Sequence, residues 1–449
     1  MNIIIVGAGQ IGRHLASCLA KEAHRISLIE SDKALAEDLE ATLDAKVIHG
    51  DGTSVSDLAA ADVGECELFL AMSSSNTTNM MSASMAKSMG VSKVVSRVHP
   101  SLQREEWLFD FRGHFGVDHI FSSERLTAIE LAKFVRNPDS LVVEELARGR
   151  IELQQVLVGE KSYAVQKTLR DLKAPVGIRV AMISRGDSTF VPTAESIIAE
   201  GDLATIFGEP RKLRAFAEDL QGKKKSTHKL KVVIFGGNEY GFSLAQMLES
   251  IDCTVRVFER DPQLCLNLAD RLSNATIING DATVSAELEE EQVGEADFFI
   301  STSVDDEDNV MSCLQAHTLG VKNCLTLIHR ADYAEAISAS GHHFGIRAAV
   351  SPREATRVEI QRFITTDAYH VLKEFNGVDL IELQVGKASI AAGHMVKEID
   401  WPDGVVLVGK LRGLHADVPS PDEVLLGGDH LYAMVSKQAR KRFLKLLQA

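Results

Sequence analysis

The sequence has no CxxC pair, no unbroken apolar run of membrane-spanning length and too little positive charge for a polyanion binder, and each absence closes a class of function. The six cysteines are Cys18, Cys66, Cys253, Cys265, Cys313 and Cys324. Without CxxC spacing they exclude zinc-ribbon and thioredoxin-type chemistry, and they read as reduced, mostly buried apolar side chains. No apolar run reaches the roughly 20 residues that a helix needs to cross a bilayer. The formal net charge is -15 at pH 7. That sign opposes affinity for nucleic-acid phosphate, so no nucleic-acid partner is expected, and it opposes broad adhesion to anionic lipid. There is no GxSxG, HExxH or lysine-bearing P-loop to anchor a hydrolase, zinc-protease or P-loop NTPase reading.

What is present is an ordinary globular composition, 45% apolar and 25% charged over 449 residues. That length suits roughly three or four domains of about 100–150 residues each. The opening run Asn2-Ile-Ile-Ile-Val6 leads straight into a glycine turn and lacks the basic flank of a signal peptide. It reads as a buried first strand, and the protein as cytoplasmic, so that any membrane role passes through a partner.

The strongest signal is internal repetition. Ile3-Ile-Ile-Val-Gly-Ala-Gly-Gln-Ile-Gly12 returns as Val232-Val-Ile-Phe-Gly-Gly-Asn-Glu-Tyr-Gly241. Ile26-Ser-Leu-Ile-Glu30 returns as Val255-Arg-Val-Phe-Glu259, and His49-Gly-Asp-Gly-Thr53 as Asn279-Gly-Asp-Ala-Thr283. Leu68 to Ser73, followed by Asn79, returns as Phe298 to Ser303, followed by Asn309. One register holds through all these blocks, so the chain is a duplication. Each copy then splits in two. In copy one, short apolar runs at 2–6, 25–30, 46–49, 67–71, 93–97 and 118–121 alternate with helical stretches such as Ile11–Glu22, Lys33–Ala41, Thr77–Met89 and Glu124–Val135. That pattern predicts a parallel sheet covered by helices on both faces. Asn137-Pro138-Asp139 breaks it. The following stretch predicts short strands around 152–157, 180–184 and 203–207 and one short helix near Ala164–Leu172, and Gln221 to His228 reads as a linker. The second small module predicts strands near 380–384, 407–411 and 431–435, and a Gly-Asp pair at 201–202 and again at 428–429 predicts a tight turn before each last strand. The expected layout is a Rossmann-like α/β domain at 1–138 and a small α+β module at 139–222, repeated at 229–367 and 368–449.

Gly7-x-Gly9-x-x-Gly12 follows a strand and opens a helix, the context in which this pattern binds a dinucleotide. Gly7 permits the tight turn, Gly9 lets backbone approach a pyrophosphate, and Gly12 lets helix and sheet pack closely. Ala8, Gln10 and Ile11 complete the loop, whose helix N-terminus offers N–H groups to phosphate. Glu30 ends the second strand, where a carboxylate accepts from ribose hydroxyls and repels a 2′-phosphate, favouring NAD-type over NADP-type ligands. Asp51 either contacts ribose or adenine or caps the helix starting near Ser54. Met72, Ser73 and Ser74 follow the fourth strand at the cleft mouth. Arg97 ends the fifth strand and serves either phosphate or a surface ion pair. In copy two, Gly236, Gly237, Asn238, Glu239, Tyr240, Glu259 and Asp281 stand at the matching positions. Asn238 replaces the middle glycine and Leu327 stands where Arg97 stood. The expectation is a stronger site in copy one and a weaker, altered or empty one in copy two. His342-His343 is too isolated to predict a metal site. Asp305 to Asp308 predicts a solvated loop or helix N-terminus in preference to a cation site, and Lys223 to Lys225 a solvated linker.

GAGQIG, the acidic end of strand two, the Gly-Asp turn after strand three, SSSNTTNM and SRVHP, partly duplicated, together resemble the TrkA-type family of Trk potassium-uptake regulators. Their Rossmann units are known as KTN or RCK domains, each followed by a small TrkA-C module, and the resemblance runs through essentially the whole chain. It implies NAD(H) or ATP/ADP as ligand. It implies self-assembly into a ring, expected as a tetramer, beneath a potassium-translocating membrane subunit of the TrkH/TrkG type. The implied nucleotide residues are Gly7 to Ile11, Glu30, Ser73, Ser74 and Arg97, with Gly236 to Tyr240 and Glu259 in copy two. The rival readings are an NAD-dependent dehydrogenase and a nucleotide sensor for another ion transporter. A dehydrogenase needs an acid/base pair and a substrate clamp near the nicotinamide, and no convincing histidine–carboxylate set is legible. The function expected is therefore a non-catalytic, cytoplasmic gating subunit.

Overall fold

Apolar runs a few residues long must be covered on both faces, and crossover helices between parallel strands do this. In a computed structural model, copy one runs β1 (Asn2–Val6), α1 (Gln10–Lys21), β2 (Arg25–Glu30), α2 (Lys33–Thr42), β3 (Lys46–His49), α3 (Val55–Ala60), β4 (Leu68–Ala71), α4 (Asn76–Ser88), β5 (Lys93–Arg97), α5 (Pro100–Arg104), α6 (Phe111–Phe115), β6 (His119–Phe121) and α7 (Ser123–Arg136). Its small module follows as β7 (Val142–Leu146), β8 (Ile151–Leu157), β9 (Arg179–Arg185), β10 (Ser188–Phe190), β11 (Leu203–Gly208) and α8 (Pro210–Gln221). Copy two repeats the plan: β12 (Leu230–Phe235), α9 (Glu239–Leu248), β13 (Cys253–Glu259), α10 (Pro262–Arg271), β14 (Thr276–Asn279), α11 (Ser285–Glu290), β15 (Phe298–Ser301), α12 (Asp306–Thr318), β16 (Asn323–Leu327), α13 (Ala331–Ser340), β17 (Ile346–Val350) and α14 (Pro352–Gln361). The last module holds β18 (Tyr369–Phe375), β19 (Val378–Gln384), β20 (Val405–Arg412), β21 (His415–Asp417), β22 (His430–Ser436) and α15 (Arg440–Leu447). The structure describes residues 1–449 except 139, 141, 148–149, 187, 223–228, 250, 252, 341–344, 365–368, 414 and 449. His342, His343 and the lysines at 223–225 lie outside the described residues.

Two compact units form, one from Met1–Val135 with Lys229–Ile364 and one from Arg136–His228 with Thr365–Ala449. The first unit contains both parallel sheets, ordered β3-β2-β1-β4-β5-β6 and β14-β13-β12-β15-β16-β17. Strand order reverses between β1 and β4 in one and between β12 and β15 in the other, so each glycine turn stands at the carboxyl-end crevice where such sheets take ligands. In copy one, Ile4, Val6, Phe69 and Ala71 face α3 and α4 through Leu58, Met80, Ala83 and Ala86. On the opposite face, Ile3, Ile5, Leu68 and Leu70 meet Leu15 and Leu19 of α1 and Leu39 of α2, and also Ile360 and Ile364 at the end of copy two. The reverse also holds. Ala128, Leu131, Ala132 and Val135 of α7, spaced three and four residues apart, pack into the core of copy two with Val232, Ile234, Phe242 and Leu248. Each copy thus lends its last helix to the other, and each fully buried aliphatic so placed contributes roughly 1.5–3 kcal/mol.

The second unit contains two antiparallel five-stranded sheets, ordered β10-β9-β11-β8-β7 and β18-β19-β22-β20-β21. Leu153, Met182 and Phe207 of one module share a core with Leu380, Val408 and Met434 of the other. The expected Gly-Asp turns are present. Gly201 and Gly428 take left-handed backbone at φ 78 and 97. The following aspartates are buried, Asp202 holding Arg185 and Asp429 holding Arg412.

One expected element is absent. Ala164 to Leu172 is a string of turns, not a helix. Its backbone bonds run outward, Gln166 N–H to the Ile198 carbonyl and Leu169 N–H to the Ser196 carbonyl, with Thr168 bridged to Ile197. A neighbouring segment therefore satisfies the groups that a helix would have paired internally. The module's helix is α8 instead, whose Leu213, Phe216, Ala217 and Leu220 are buried at helical spacing. The strands β7, β10, β18 and β21 and the helices α5, α6 and α15 also lie beyond the sequence expectation. No helix among the described residues is long and apolar enough to cross a membrane.

Candidate functional site

The first glycine turn closes against its own sheet. Gly7 lies at φ 91, and a Cβ there would stand 2.7 Å from the Ser73 backbone. A Cβ on Gly12 would collide with the Gly7 carbonyl. Both glycines are therefore required by the fold. Gly9 differs, because nothing lies within 4 Å of where its Cβ would be. Its backbone, at φ -58 and ψ -177, suits any residue, and no side chain caps the N-terminus of α1 that begins beside it. That helix end keeps its positive partial charge directed at open space.

Glu30 is buried. One carboxylate oxygen accepts from the Ala8 N–H at 2.6 Å and the other from the Asp32 N–H at 2.8 Å. It therefore ties the glycine turn to the end of β2 while presenting a carboxylate to the crevice. Asp51 forms a local turn, accepting from the Thr53 N–H and hydroxyl. Ser54, not Asp51, caps α3. Ser73 is held by the buried Asn79, whose side chain also donates to the Arg97 carbonyl. Ser74 is exposed. Arg97 pairs with Glu124 at 3.0 Å and donates to Ser123.

Copy two keeps the scaffold and fills the opening. Glu259 binds the Gly237 N–H at 2.7 Å, as Glu30 does its counterpart, and Asn309 braces Ser303. Asn238, however, turns its side-chain oxygen onto the N–H groups of Tyr240 and Gly241 at 3.0 and 3.2 Å, and its amide onto the Thr302 carbonyl. The donors that a phosphate would use are already taken by an internal cap. Arg260, just past β13, bonds Asp281 at 2.8 Å and Asp308 at 2.9 Å, and with Asp281 it lines a separate cavity of about 690 Å³. Those bonds, with the ones from Thr283, hold the Asp281 carboxyl below its ordinary range despite partial burial. Within the acidic run, Asp305 caps α12 and Asp306 accepts from His329 and from the Arg330 N–H. Leu327, in the place of Arg97, is buried.

Several copy-two residues turn toward the other copy. Glu239 pairs with Arg104 of α5 at 3.0 Å. Tyr240, expected at its own cleft, is driven in beside Ser123 and Glu124, and burial there raises its phenol well above the ordinary value. It lines a cavity of about 440 Å³ together with Gly7, Gly9, Gln10, Ile11 and Glu30. Met72, Ser73, Ser74 and Arg97 complete the copy-one wall, and His329, Pro352 and Arg353 join Tyr240 on the copy-two side. A second cavity of about 680 Å³ adjoins it along α1 and α2, sharing Gly9, Gln10, Leu35 and Arg353. The structure thus brings most of the copy-one candidates around one opening and leaves Asp51, Asp281 and Glu259 outside it. Sequence reasoning missed Ser31, Leu35, His329 and Arg353. The one visible signal was a charge reversal in the repeat, where Glu124 of copy one answers Arg353 of copy two.

Fold and cleft define a class of protein: a tandem pair of Rossmann-type domains with exchanged last helices, one glycine turn uncapped and the other capped by its own asparagine. The TrkA-N domain family matches residues 3–123 and again 232–352, and the TrkA-C domain family matches 153–221 and 380–448. The chain belongs to the TrkA family. It is 29% identical to the Trk system potassium uptake protein TrkA of Haemophilus influenzae, over 97% of this chain and 96% of that protein. It is 26% identical to the Trk system potassium uptake protein TrkA of Halomonas elongata, over 98% and 97%. Among solved structures, the GsuK RCK domain has the same fold at TM-score 0.60 and 17% identity, covering 99% of this chain and 94% of that one. The GsuK channel bound to NAD matches at TM-score 0.61 and 17% identity, covering 99% and 78%.

Proposed function

We propose that the chain is a non-catalytic regulatory subunit that reads an adenine nucleotide in the copy-one cleft and gates a potassium-translocating membrane partner of the TrkH/TrkG type. It works from the cytoplasmic face, peripheral through that partner, and self-associates in a ring, a tetramer by the family resemblance. The observation that carries the nucleotide reading is Gly9. The fold itself leaves room for a side chain there, so the missing Cβ serves a ligand's close approach. NAD(H) is favoured by the Glu30 carboxylate, and ATP or ADP remains compatible with the same turn. The relatives' names support the potassium-uptake role, and the GsuK structures described as bound to NAD and to ADP support the ligand class.

Because the cleft wall comes from both copies, a bound nucleotide changes the free energy of one relative arrangement against another. Coupling of roughly 1–3 kcal/mol per site is typical, and several sites in a ring add to a usable switch. Calorimetry with NADH, NAD, ATP and ADP tests the site. Glu30→Ala and Gly9→Asp are expected to weaken binding by about tenfold or more while leaving the far-ultraviolet circular dichroism unchanged. Unchanged affinity in both variants would remove the assignment.

One observation favours the dehydrogenase reading: His329, on the cavity wall, has Nδ1 3.0 Å from Asp306 Oδ1. Asp306 also clamps the backbone N–H groups of His329 and Arg330, which gives the pair a structural task. Steady consumption of NADH with hydroxy acids or ketones would establish the catalytic reading; none is expected.

A further inference from the structure

We infer that Arg353, a side chain of copy two, binds ligand phosphate in the copy-one cleft, so that both copies grip the same nucleotide. This rests on the nucleotide reading above and specifies how it is achieved.

Arg353 is the second residue of α14, the helix that copy two lends to copy one, and it lines both cavities that meet at Gly9 and Gln10. Among the described residues no hydrogen bond or ion pair reaches its guanidinium, and its Nε is sealed from solvent without a partner. Leaving a buried charged donor unmet is costly. The nearest carboxylates are committed elsewhere, Asp332 to Arg330 and Asp306 to His329. Burial pushes its basicity down, and repulsion from Arg330 and Arg13 adds to this against the pull of Asp332 and Asp306, neither of which is hydrogen-bonded to it. Arg97 and Arg104, by contrast, are matched by Glu124 and Glu239. Arg353 is thus an unmatched cation beside an uncapped helix N-terminus, at a turn with open space where a side chain would be.

The repeat supplies the control. Glu124 holds the corresponding position on α7 and lies near Tyr240, at the glycine turn of copy two. Each turn is therefore faced by the other copy's exchanged helix. The open turn faces a cation without an ion-pair partner, and the capped turn faces a carboxylate already paired with Arg97. This difference draws an anion to copy one and, among the described residues, offers it no free cation at copy two. A guanidinium can meet two phosphate oxygens at once, which makes the contact directional as well as strong.

The test is calorimetric titration of the full chain with ADP and, by displacement, with adenosine, for wild type, Arg353→Gln and Arg353→Lys. Arg353→Gln is expected to weaken ADP by about tenfold and adenosine by less than about twofold, as loss of a charge-assisted phosphate contact predicts. Arg353→Lys is expected to restore part of the ADP affinity. Without nucleotide, the melting temperature of Arg353→Gln is expected to equal or exceed that of wild type, because a partly buried charge with no hydrogen-bond partner has been removed. Equal ADP affinity in wild type and Arg353→Gln, or equal losses for ADP and adenosine, would overturn the inference while leaving the nucleotide reading intact. A wild-type chain that bound no ADP would end both.

Discussion

Gly9 and Asn238 occupy the same step of the same turn, with φ -58 and ψ -177 at one and φ -61 and ψ -179 at the other. The backbone therefore does not explain why one position carries a side chain and the other does not. What differs is who receives the first N–H groups of the following helix: open space in copy one, the asparagine's own oxygen in copy two. Replacing an asparagine cap by glycine costs only a few tenths of a kcal/mol in most helices. Asn238→Gly is accordingly expected to lower stability by less than about 1 kcal/mol and to raise the ADP bound per chain above the wild-type ratio. An unchanged ratio in equilibrium dialysis would mean that the cap is not what closes the second cleft. At this scale the sequence was informative wherever a residue acts through its own backbone. The positions of Gly7, Gly9, Gly12 and Glu30 around one turn could be foreseen because each follows from strand, turn and helix in succession. Arg260 could not be placed, because its two ion pairs depend on Asp281 and Asp308 arriving from two other elements.

At the scale of the element, α14 is the piece on which copy one depends without owning it. Ile360 sits fully buried among β1, β4 and α1 residues, while polar side chains of the same helix reach back to copy one. Glu354 approaches His14 at 3.8 Å, Arg357 approaches Glu22 at 3.9 Å, and Glu359 meets His119 at 2.8 Å. Burial pushes the Glu354 carboxyl up, but contacts with His14 and Arg357 outweigh it and hold it at about 2, against an ordinary 4.5. Glu359 is lowered likewise, burial being outweighed by His119 and Arg362. A carboxyl lowered in the folded state stabilises it fully above the ordinary value and progressively less as pH falls toward the folded one. Acid should therefore loosen this helix first. Urea midpoints of wild type are expected to drop between about pH 5 and pH 3, and Glu354→Gln to show a shallower drop. Parallel slopes for the two chains would refute that role for Glu354. Sequence periodicity located α1, α2, α4 and α7 because their apolar residues recur at helical spacing. It gave no hint that α7 and α14 change places, since an apolar stripe does not name the surface that it will cover. The misplaced helix at 164–172 has the same origin, for its backbone partners, such as Ser196 and Ile198, lie on a distant stretch of chain.

At the scale of the whole molecule, duplication has produced two unlike halves from one plan. The strand orders are the same, yet the side chain facing each glycine turn is of opposite charge, and only the second turn is capped by a side chain of its own. If the halves hold each other chiefly through α7 and α14, the peptide link between them is not what keeps them associated. Residues 1–222 and 229–449, produced as separate chains in one cell, are expected to co-purify as a one-to-one pair that binds ADP with the affinity of the intact protein. Isolation of each fragment as a stable independent monomer would contradict this.

The exchanged helices also limit the company that each half can keep. Two identical first halves clasped together would set carboxylate against both turns, and two identical second halves would pair two capped turns. Joining unlike halves in one polypeptide makes the mixed match compulsory. On the nucleotide reading proposed above, every clasp then carries a single receptive pocket with a fixed handedness, and a larger assembly built from such chains inherits an unambiguous count of sensors.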